Sequence, residues 1–488
     1  MMAQPAIRGQ SRVCYTGSTA IAGETAPPRP GEPTSYRRVV SGRDRLTLVG
    51  LAGLSIVAGS CLVTRLLVAD VGDPVSATPW LTRAVALMVV AVEVLRLLQV
   101  ANLLLFAAVA ADPVPSSPPT GLRVAMLTTI VPDREPVDVV ARTLAAMRAV
   151  RHDGVLDVWI LDEGDDPAVR RVARELGVHH FTRRGRPDLN TPAGTYRART
   201  KAGNHNAWRS EHESAYDVVA QMDPDHVPLP CFLERTLGYF QDPDVAFVVA
   251  PQVYGNAGDG FVQHAAAAQS FVFTGVIQRG GNGLGAPLLI GTNHVYRVSA
   301  WSQIGGYQDS LIEDHLTGMT VSATVNPVTA RGWRGVYTPD VIAIGEGPAS
   351  WTDFFKQQRR WAYGVAEIVL HRAPRLLGRL AGRQRLAYVL LQSFYPSCAA
   401  AWVCGNTATT AYLLLGVAPP ALEWWWFAVW ALAFGSSLGL LGWLRRFNIA
   451  GHERAERERA GSWPRCSPDR STWRRPSRRA CADLWRTR

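Results

Sequence analysis

Four long apolar runs constrain this chain more than any other feature of its sequence. They cover residues 46–69, 81–111, 386–415 and 424–444, with only scattered charges inside them. A helix needs about 20 apolar residues to cross about 30 Å of hydrocarbon, and each run is at least that long. The sequence therefore predicts two pairs of transmembrane helices, over 46–111 and 386–444, on either side of a long polar segment.

Charged residues within the first pair of runs are compatible with this prediction. Glu93 and Arg96 stand three positions apart, so their side chains would lie on one face of a helix and could form an ion pair. Such pairing lowers the cost of holding charge in lipid. The alternative is a buried helical hairpin of a soluble protein, because two long apolar helices packed together would give the same pattern.

The basic residues outside these runs are unevenly distributed. Four arginines, at positions 37, 38, 43 and 45, precede the first run, and 13 more lie between residues 445 and 488. The two connecting loops carry Asp70, Asp73 and Glu423 and no basic residue. The positive-inside rule then predicts a multi-pass protein of the cell inner membrane, with both termini and the middle segment in the cytoplasm.

The C-terminal tail carries most of the positive charge of the chain. Its 13 Arg and five acidic residues account for +8 of the net charge of +11, and no binding fold accompanies them. Nucleic-acid binding is therefore disfavoured. We expect residues 445–488 to be a basic extension that attracts anionic membrane lipid, or an out-of-frame end. Residues 1–45, rich in Gly, Pro, Ser and Arg, are expected to form a disordered leader.

The middle segment, residues 120–350, alternates short β-branched runs with helical periods. Strands are predicted at 122–130, 155–161, 217–222, 245–250 and 288–296, and helices at 136–149 and 167–176. Strands that alternate with helices indicate an α/β domain, in which a mainly parallel sheet is covered on both faces.

Acidic residues follow two of these strands directly. Asp162 opens a D-E-G sequence after the second strand, and Asp223 and Asp225 belong to D-P-D-H after the third. In open α/β sheets, ligands bind beyond the carboxyl ends of the strands, so both groups would share one edge. A D-x-D pair suits a hard cation such as Mg²⁺ or Mn²⁺, which would also neutralise a diphosphate. By itself, however, such a pair is more often an acidic turn than a metal site.

Three further motifs accompany the acidic groups. Lys201 begins K-A-G-N between them, Asp314 lies in I-E-D-H about ninety residues later, and Q-Q-R-R-W follows at 357–361. The histidines next to the carboxylates, His226 and His315, could tune them or ligate a metal. The remaining histidines show no metal-binding spacing, and we expect them to be structural or exposed.

Taken in order, D-E-G, K-A-G-N, D-x-D-H, E-D and Q-x-x-R-W resemble the cellulose-synthase-like membrane enzymes of glycosyltransferase family 2. The resemblance covers residues 122–370, about half of the chain. It implies a Rossmann-like, GT-A-like cytoplasmic domain inserted between membrane helices. It also implies an inverting, metal-dependent transferase that uses Mg²⁺ or Mn²⁺. Such an enzyme would add a hexose from a UDP-sugar, foremost UDP-glucose, to a growing β-linked polysaccharide.

The resemblance also implies a role for each motif residue. Asp314 would be the general base, while Asp162 would contact the uracil or ribose and Lys201 would lie beside the nucleotide. The residues implied to bind the metal and diphosphate are Asp223 and Asp225. Those implied to hold the diphosphate and the terminal sugar of the acceptor are Gln357, Arg360 and Trp361.

The helix that carries the last motif can be interpreted in two ways. Positions 357, 360 and 361 fall on one face of a helix, so their side chains would point the same way. A Trp stacks well on a sugar ring, and a neighbouring Arg suits phosphate. Alternatively, residues 351–380 form an amphipathic helix in the headgroup zone, with Ser350 as its N-cap. Both hold if a helix lying on the membrane floors the active site.

The sequence departs from the family pattern at a few points. Glu163 replaces the second Asp of the first acidic loop, and Ile312 replaces a Thr before Glu313. Two apolar runs follow Trp361, where polymer-secreting relatives have more, and no gating-loop motif is found. These departures leave two alternatives open. One is a non-processive transferase that adds one sugar to a lipid-linked acceptor, and the other is an inactive scaffold among export or assembly subunits.

Overall fold

The computed structural model describes residues 31–40, 42–68, 79–132, 135–417 and 424–447. The predictions for the leader up to residue 30, for most of the two loops that connect the paired apolar runs, and for the tail from residue 448 lie outside the described residues.

The described residues form fourteen α-helices and eleven strands. The helices are α1 (Gly42–Val68), α2 (Pro79–Val109), α3 (Val137–Arg148), α4 (Pro167–Leu176), α5 (Lys201–His212), α6 (Phe261–Val272), α7 (Gln278–Leu284), α8 (Val298–Gln303), α9 (Glu313–Ser322), α10 (Trp351–His371), α11 (Ala373–Leu377), α12 (Gly382–Gln392), α13 (Phe394–Leu415) and α14 (Trp424–Leu444). The strands are β1 (Tyr36–Arg38), β2 (Ala111–Pro113), β3 (Arg123–Ile130), β4 (Val155–Asp162), β5 (His179–Phe181), β6 (Val218–Met222), β7 (Val227–Pro228), β8 (Val245–Val249), β9 (His294–Arg297), β10 (Arg334–Tyr337) and β11 (Ala343–Ile344).

A seven-stranded sheet in the order β10-β8-β9-β6-β3-β4-β5 forms the centre of the soluble domain. All neighbouring strands run parallel except β9, which is antiparallel to both β6 and β8. The prediction of an α/β domain with a mainly parallel sheet is confirmed. The strand predicted at 288–296 was wrong at its start, because β9 begins only at His294.

Helices cover the sheet on both faces, as its apolar strands require. On one face, α3 and α4 bury Val140, Leu144 and Val169 against the strands. On the other face, α5 packs Ala207 and Trp208 into a second cluster. The carboxyl ends of β3, β4 and β6 therefore open between two packed layers, and the loops that follow these strands are held at one edge of the sheet.

Four helical segments are long and apolar enough to cross a membrane: Gly42–Val68, Pro79–Val109, Gly382–Leu415 and Trp424–Phe447. Glu93 and Arg96 of α2 form the expected ion pair. The Arg96 guanidinium also donates to Ser55 Oγ of α1 at 2.6 Å and to the Ala433 carbonyl of α14 at 3.1 Å. One buried arginine thus joins three of the apolar helices.

The third apolar segment is broken into α12 and α13 at Ser393. Pro396 lies within the first turn of α13 and has no N–H to donate to the carbonyl four residues earlier, which interrupts a continuous helix. The run predicted at 386–415 therefore consists of the second half of α12 followed by α13. The same segment places Gln392, a buried polar residue, at the end of α12.

Candidate active site

The D-x-D-H turn follows β6 at the centre of the sheet edge. The Asp223 N–H donates to Thr292 Oγ1 at 3.0 Å, which fixes the start of the turn. Asp225 Oδ1 lies 2.8 Å from His226 Nδ1. Ligand atoms of Asp223, Asp225 and His226 all lie within 4.8 Å of one another. Two carboxylates and an imidazole form a donor set that suits Mg²⁺ or Mn²⁺.

Lys201 reaches this turn from the first position of α5. The Thr200 hydroxyl caps the helix by accepting from the Gly203 N–H at 3.1 Å. The Lys201 ammonium pairs with Asp223 and donates to the Gly291 carbonyl. Burial opposes the charge of Lys201, but Asp223 and Glu313 outweigh it and raise the pKa of this ammonium. Lys201 is therefore a fixed cation beside the D-x-D pair.

Asp314 lies across Gly291 from Lys201, in the first turn of α9. A methyl group built on Gly291 would lie 3.3 Å from Asp314 Oδ2 and 3.8 Å from Lys201 Nζ. Burial raises the pKa of Asp314, although the His315 N–H, Lys201 and Arg360 act in the opposite direction. A carboxylate with a raised pKa is a stronger base. This one and the Lys201 ammonium both lie close to Gly291.

Two other carboxylates near the site had no role in the sequence prediction. Burial and the neighbouring Asp314 raise the pKa of Glu313. Glu135 accepts from the Val131 N–H at 2.8 Å, and burial together with Asp223 and Asp225 raises its pKa. Glu135 lies in the loop after β3, and Asp162 is the last residue of the neighbouring β4, so the rule that places ligands beyond strand ends contained the signal for Glu135.

The first acidic loop is held by its own carboxylates. Asp162 is fully buried and accepts from the N–H groups of residues 164, 165 and 166 at 2.7–3.0 Å. Glu163, which replaces an Asp of the family pattern, reaches the buried Arg183 through two hydrogen bonds of 2.8 and 2.9 Å. The longer side chain thus anchors the segment before α5. A contact of Asp162 with uracil or ribose stays a prediction.

The Q-x-x-R-W helix, α10, approaches the site closely. A methyl group on Gly364 would lie 2.6 Å from Ile312 Cγ1, so only a glycine lets α10 pack this tightly against the turn before α9. Trp361 is partly buried against the cluster that contains Ile312. Ser350 caps the helix by accepting from the Asp353 N–H at 3.2 Å.

Two neighbouring glutamines on α10 point in different directions. Gln357 forms a hydrogen bond with Tyr254. Burial raises the pKa of Tyr254, and this hydrogen bond offsets part of the increase. The positive charge of Arg360 helps Lys201 to lower the pKa of Asp223, against the effect of burial. Gln358 instead exchanges hydrogen bonds of 3.1 and 3.3 Å with Gln269 of α6. Gln357 and Arg360 therefore share the side that faces the D-x-D turn.

Residues 218–438 match the sequence profile of the family described as Glycosyl transferase family group 2. The chain is 30% identical over 272 residues to the cellulose synthase catalytic subunit [UDP-forming] of Xanthomonas axonopodis pv. citri (strain 306), a match that covers 54% of this chain and 34% of the relative. Residues 218–438 thus match a family 2 glycosyltransferase, and the chain is similar to cellulose-synthase-like enzymes of that family. Its mixed sheet, the helices that cover it and the four apolar helices are consistent with a membrane-associated α/β glycosyltransferase domain.

Another relative matches a similar part of this chain. A UDP-forming cellulose synthase of Dictyostelium discoideum is 32% identical over 203 residues, which cover 40% of this chain and 18% of the relative. The chain thus spans about a fifth to a third of the length of these two relatives. Among solved structures, the mannosyltransferase PcManGT from Pyrobaculum calidifontis, in complex with GDP-Man and Mn²⁺, is 17% identical with a TM-score of 0.47. The match covers 74% of this chain and 99% of that one.

Proposed function

We propose that this glycosyltransferase transfers a hexose from a UDP-sugar, foremost UDP-glucose, to a growing β-linked polysaccharide at the membrane, with inversion at the anomeric carbon. The observation that carries the proposal is the arrangement around Gly291. A cation paired with the D-x-D turn and a basic carboxylate both lie within 4 Å of the position that a methyl group on this glycine would take. The relatives named as UDP-forming cellulose synthases support the choice of donor and product.

In this proposal, Asp314 accepts the proton of the attacking acceptor hydroxyl. Its raised pKa favours this transfer, and its carboxylate can reach the hydroxyl only if the acceptor enters over Gly291. A single displacement with one base inverts the anomeric centre, so no second nucleophilic carboxylate is needed. Lys201 and Arg360 supply positive charge where the diphosphate departs, which stabilises the charge that develops there.

Asp223 and Asp225, with His226 beside them, would hold a divalent ion. The donor set fits Mg²⁺ or Mn²⁺, and the Asp225 side chain is 41% exposed and open to a ligand. When bound, the ion neutralises the leaving diphosphate. Asp162 would contact the nucleoside. The side of α10 that carries Gln357, Arg360 and Trp361 would hold the diphosphate and the terminal sugar of the acceptor.

The apolar helices support the location that we propose for the protein. Four segments of sufficient length flank the GT-A-like domain, which fits a membrane protein. We place the protein in the inner membrane as a multi-pass protein with its catalytic domain in the cytoplasm, where UDP-sugars are made. Export or assembly subunits would then receive the product on the other side.

The test is transfer from a panel of radiolabelled UDP-sugars by the purified protein in lipid nanodiscs, with Mg²⁺ or Mn²⁺. We expect labelled polymer and UDP to appear together with one preferred donor. The Asp314→Asn variant should bind UDP but form no product, which serves as the control for a contaminating enzyme. A product one sugar longer than a lipid acceptor would favour single addition over polymerisation. Absence of transfer from every donor, with UDP binding intact, would contradict the proposal.

A further inference from the structure

The helix that begins with Glu313 and Asp314 lies along the third apolar segment. Ile312, Leu316 and Met319 share one apolar cluster with Ala387 and Tyr388 of α12. Direct contacts join the same two helices. Gln392 Nε2 lies 3.5 Å from Met319 Sδ, and the Tyr388 ring packs edge to face on the His315 ring, with 5.9 Å between the ring centroids. One side of α9 thus contacts α12 through His315 and Met319.

His315 contacts both Asp314 and Gln392. The backbone N–H of His315 donates to Asp314 Oδ1 at 2.8 Å, and the ring atom Nε2 of the same residue lies 3.0 Å from Gln392 Nε2. His315 is 8% exposed and Gln392 is 4% exposed, so both side chains are almost withdrawn from solvent. Burial lowers the pKa of His315 to about 4, and the neutral ring can therefore accept the amide hydrogen of Gln392 at neutral pH.

The far end of this connection is itself fixed. The Gln384 side chain donates to the Gly285 carbonyl at 2.9 Å, which ties the start of α12 to the end of α7. The Asn102 side chain of α2 donates to the Leu390 carbonyl at 3.3 Å, two residues before Gln392. α12 is therefore held at both ends by side-chain amides, and Gln392 stands on a rigid support.

We propose that Gln392 is a positioning residue: its hydrogen bond to the His315 ring holds the first turn of α9, and with it the backbone N–H of His315 that binds the Asp314 carboxylate. This inference rests on the proposed role of Asp314 as base. The hydrogen bond between Gln392 and His315 should affect both the rate of proton transfer and the stability of the turn that carries Asp314. A base displaced by a fraction of an ångström transfers the proton less well, and a turn released from its support opens more often.

The test uses variants that remove one atom group each and keep the side-chain volume. Gln392→Leu removes the amide donor, and His315→Phe removes the ring acceptor. His315→Gln provides a hydrogen-bond acceptor in a side chain of different shape. The matched control is Asn406→Leu, which removes an amide from α13 that bonds only within its own helix, to the Trp402 carbonyl at 2.8 Å. All are measured in nanodiscs with the full chain.

For Gln392→Leu and His315→Phe we expect kcat to fall about tenfold, with KM for the donor and UDP affinity within twofold. The double variant should lose no more than either single one, His315→Gln should recover part of the rate, and Asn406→Leu should match the wild type. Independent losses that multiply in the double variant, or a parallel change of kcat and KM, would overturn the proposal.

A second measurement does not depend on turnover. Hydrogen exchange followed by mass spectrometry should show faster exchange over residues 312–319 in Gln392→Leu, and no change over β6. Unchanged exchange at 312–319 would overturn the connection itself. If the wild type transfers no sugar but exchange responds as expected, the proposed function fails while the connection between α12 and α9 stands.

Discussion

Substitution of Gly291 by Ala tests the centre of the site with one methyl group. The residue has no left-handed backbone angle, so alanine fits its conformation, and the added carbon would lie 3.3 Å from Asp314 Oδ2. A contact of 3.3 Å is tighter than most contacts that a Cβ atom makes in proteins. The carboxylate must therefore move by a few tenths of an ångström, away from the position it holds opposite Lys201.

The size of the effect follows from this geometry. The methyl group also lies 3.8 Å from Lys201 Nζ, and so occupies space between the base and the cation. A misplacement of about 1 Å can cost about 100-fold in rate, so we expect kcat to fall about 10- to 100-fold. Overpacking should cost about 1 kcal/mol of stability, since the Asp314 side chain can turn towards the open cleft. The melting temperature should fall by about 2–4 °C.

The assay is steady-state UDP release with parallel detection of product, on protein in nanodiscs whose melting temperature has been measured. Gly332→Ala is the matched control, because a methyl group there meets no atom within 4 Å. It should leave rate and stability unchanged. Wild-type turnover in Gly291→Ala would refute the reasoning, because the reacting groups could not then meet over this glycine. A large loss of stability would show instead that the glycine serves packing.

Four other predictions concern individual motif residues. Asp314→Asn should leave UDP binding within a few-fold and lower transfer by about 10²–10⁴, measured as initial rates. Because burial raises the pKa of Asp314, the wild-type rate should fall as the pH drops through a range above that of an ordinary carboxyl group, and a flat acid limb would contradict this. Asp225→Ala should weaken UDP-sugar binding by calorimetry in the presence of Mn²⁺ and hardly change it without metal, whereas an equal loss in both conditions would indicate a folding defect. Trp361→Ala should strongly reduce elongation while hydrolysis of the donor persists. Gln358→Ala loses hydrogen bonds to α6 rather than to the site, and its effect should be much milder. Equal damage in the two variants would place the acceptor on another side of α10.

Periodicity predicted most of the sheet and its helices. α4 has the bounds that the pattern gave, and β3, β4 and β6 begin within one residue of their predicted starts, because uninterrupted apolar runs mark buried strands. β5 and β10 were missed because they are three and four residues long and include His179 and Gly335. The strand predicted from 288 begins late because Asn293 takes a left-handed conformation, with φ 53°, just before β9.

The site was predicted where its residues form local motifs and missed where they depend on distant partners. The D-x-D-H, K-A-G-N and E-D residues could be named from their order along the chain. The contact of His315 with Gln392 spans 77 positions, and no spacing rule encodes it. Glu135 belongs to no motif that the sequence analysis used, although its place at the end of a strand was visible. Long-range packing of α9 on α12 decides such contacts, and only the fold shows it.

The Arg96 guanidinium has a consequence for biosynthesis. Its partners on α1 are made before it, but the Ala433 carbonyl belongs to α14, which is synthesised 337 positions later. Until that helix arrives, the donors aimed at it face lipid, where an unmatched polar group costs several kcal/mol. A nascent chain that stops before residue 424 would therefore leave Arg96 without its hydrogen-bond partners on α14. Insertion of α14 would complete the polar contacts that join the earlier apolar helices.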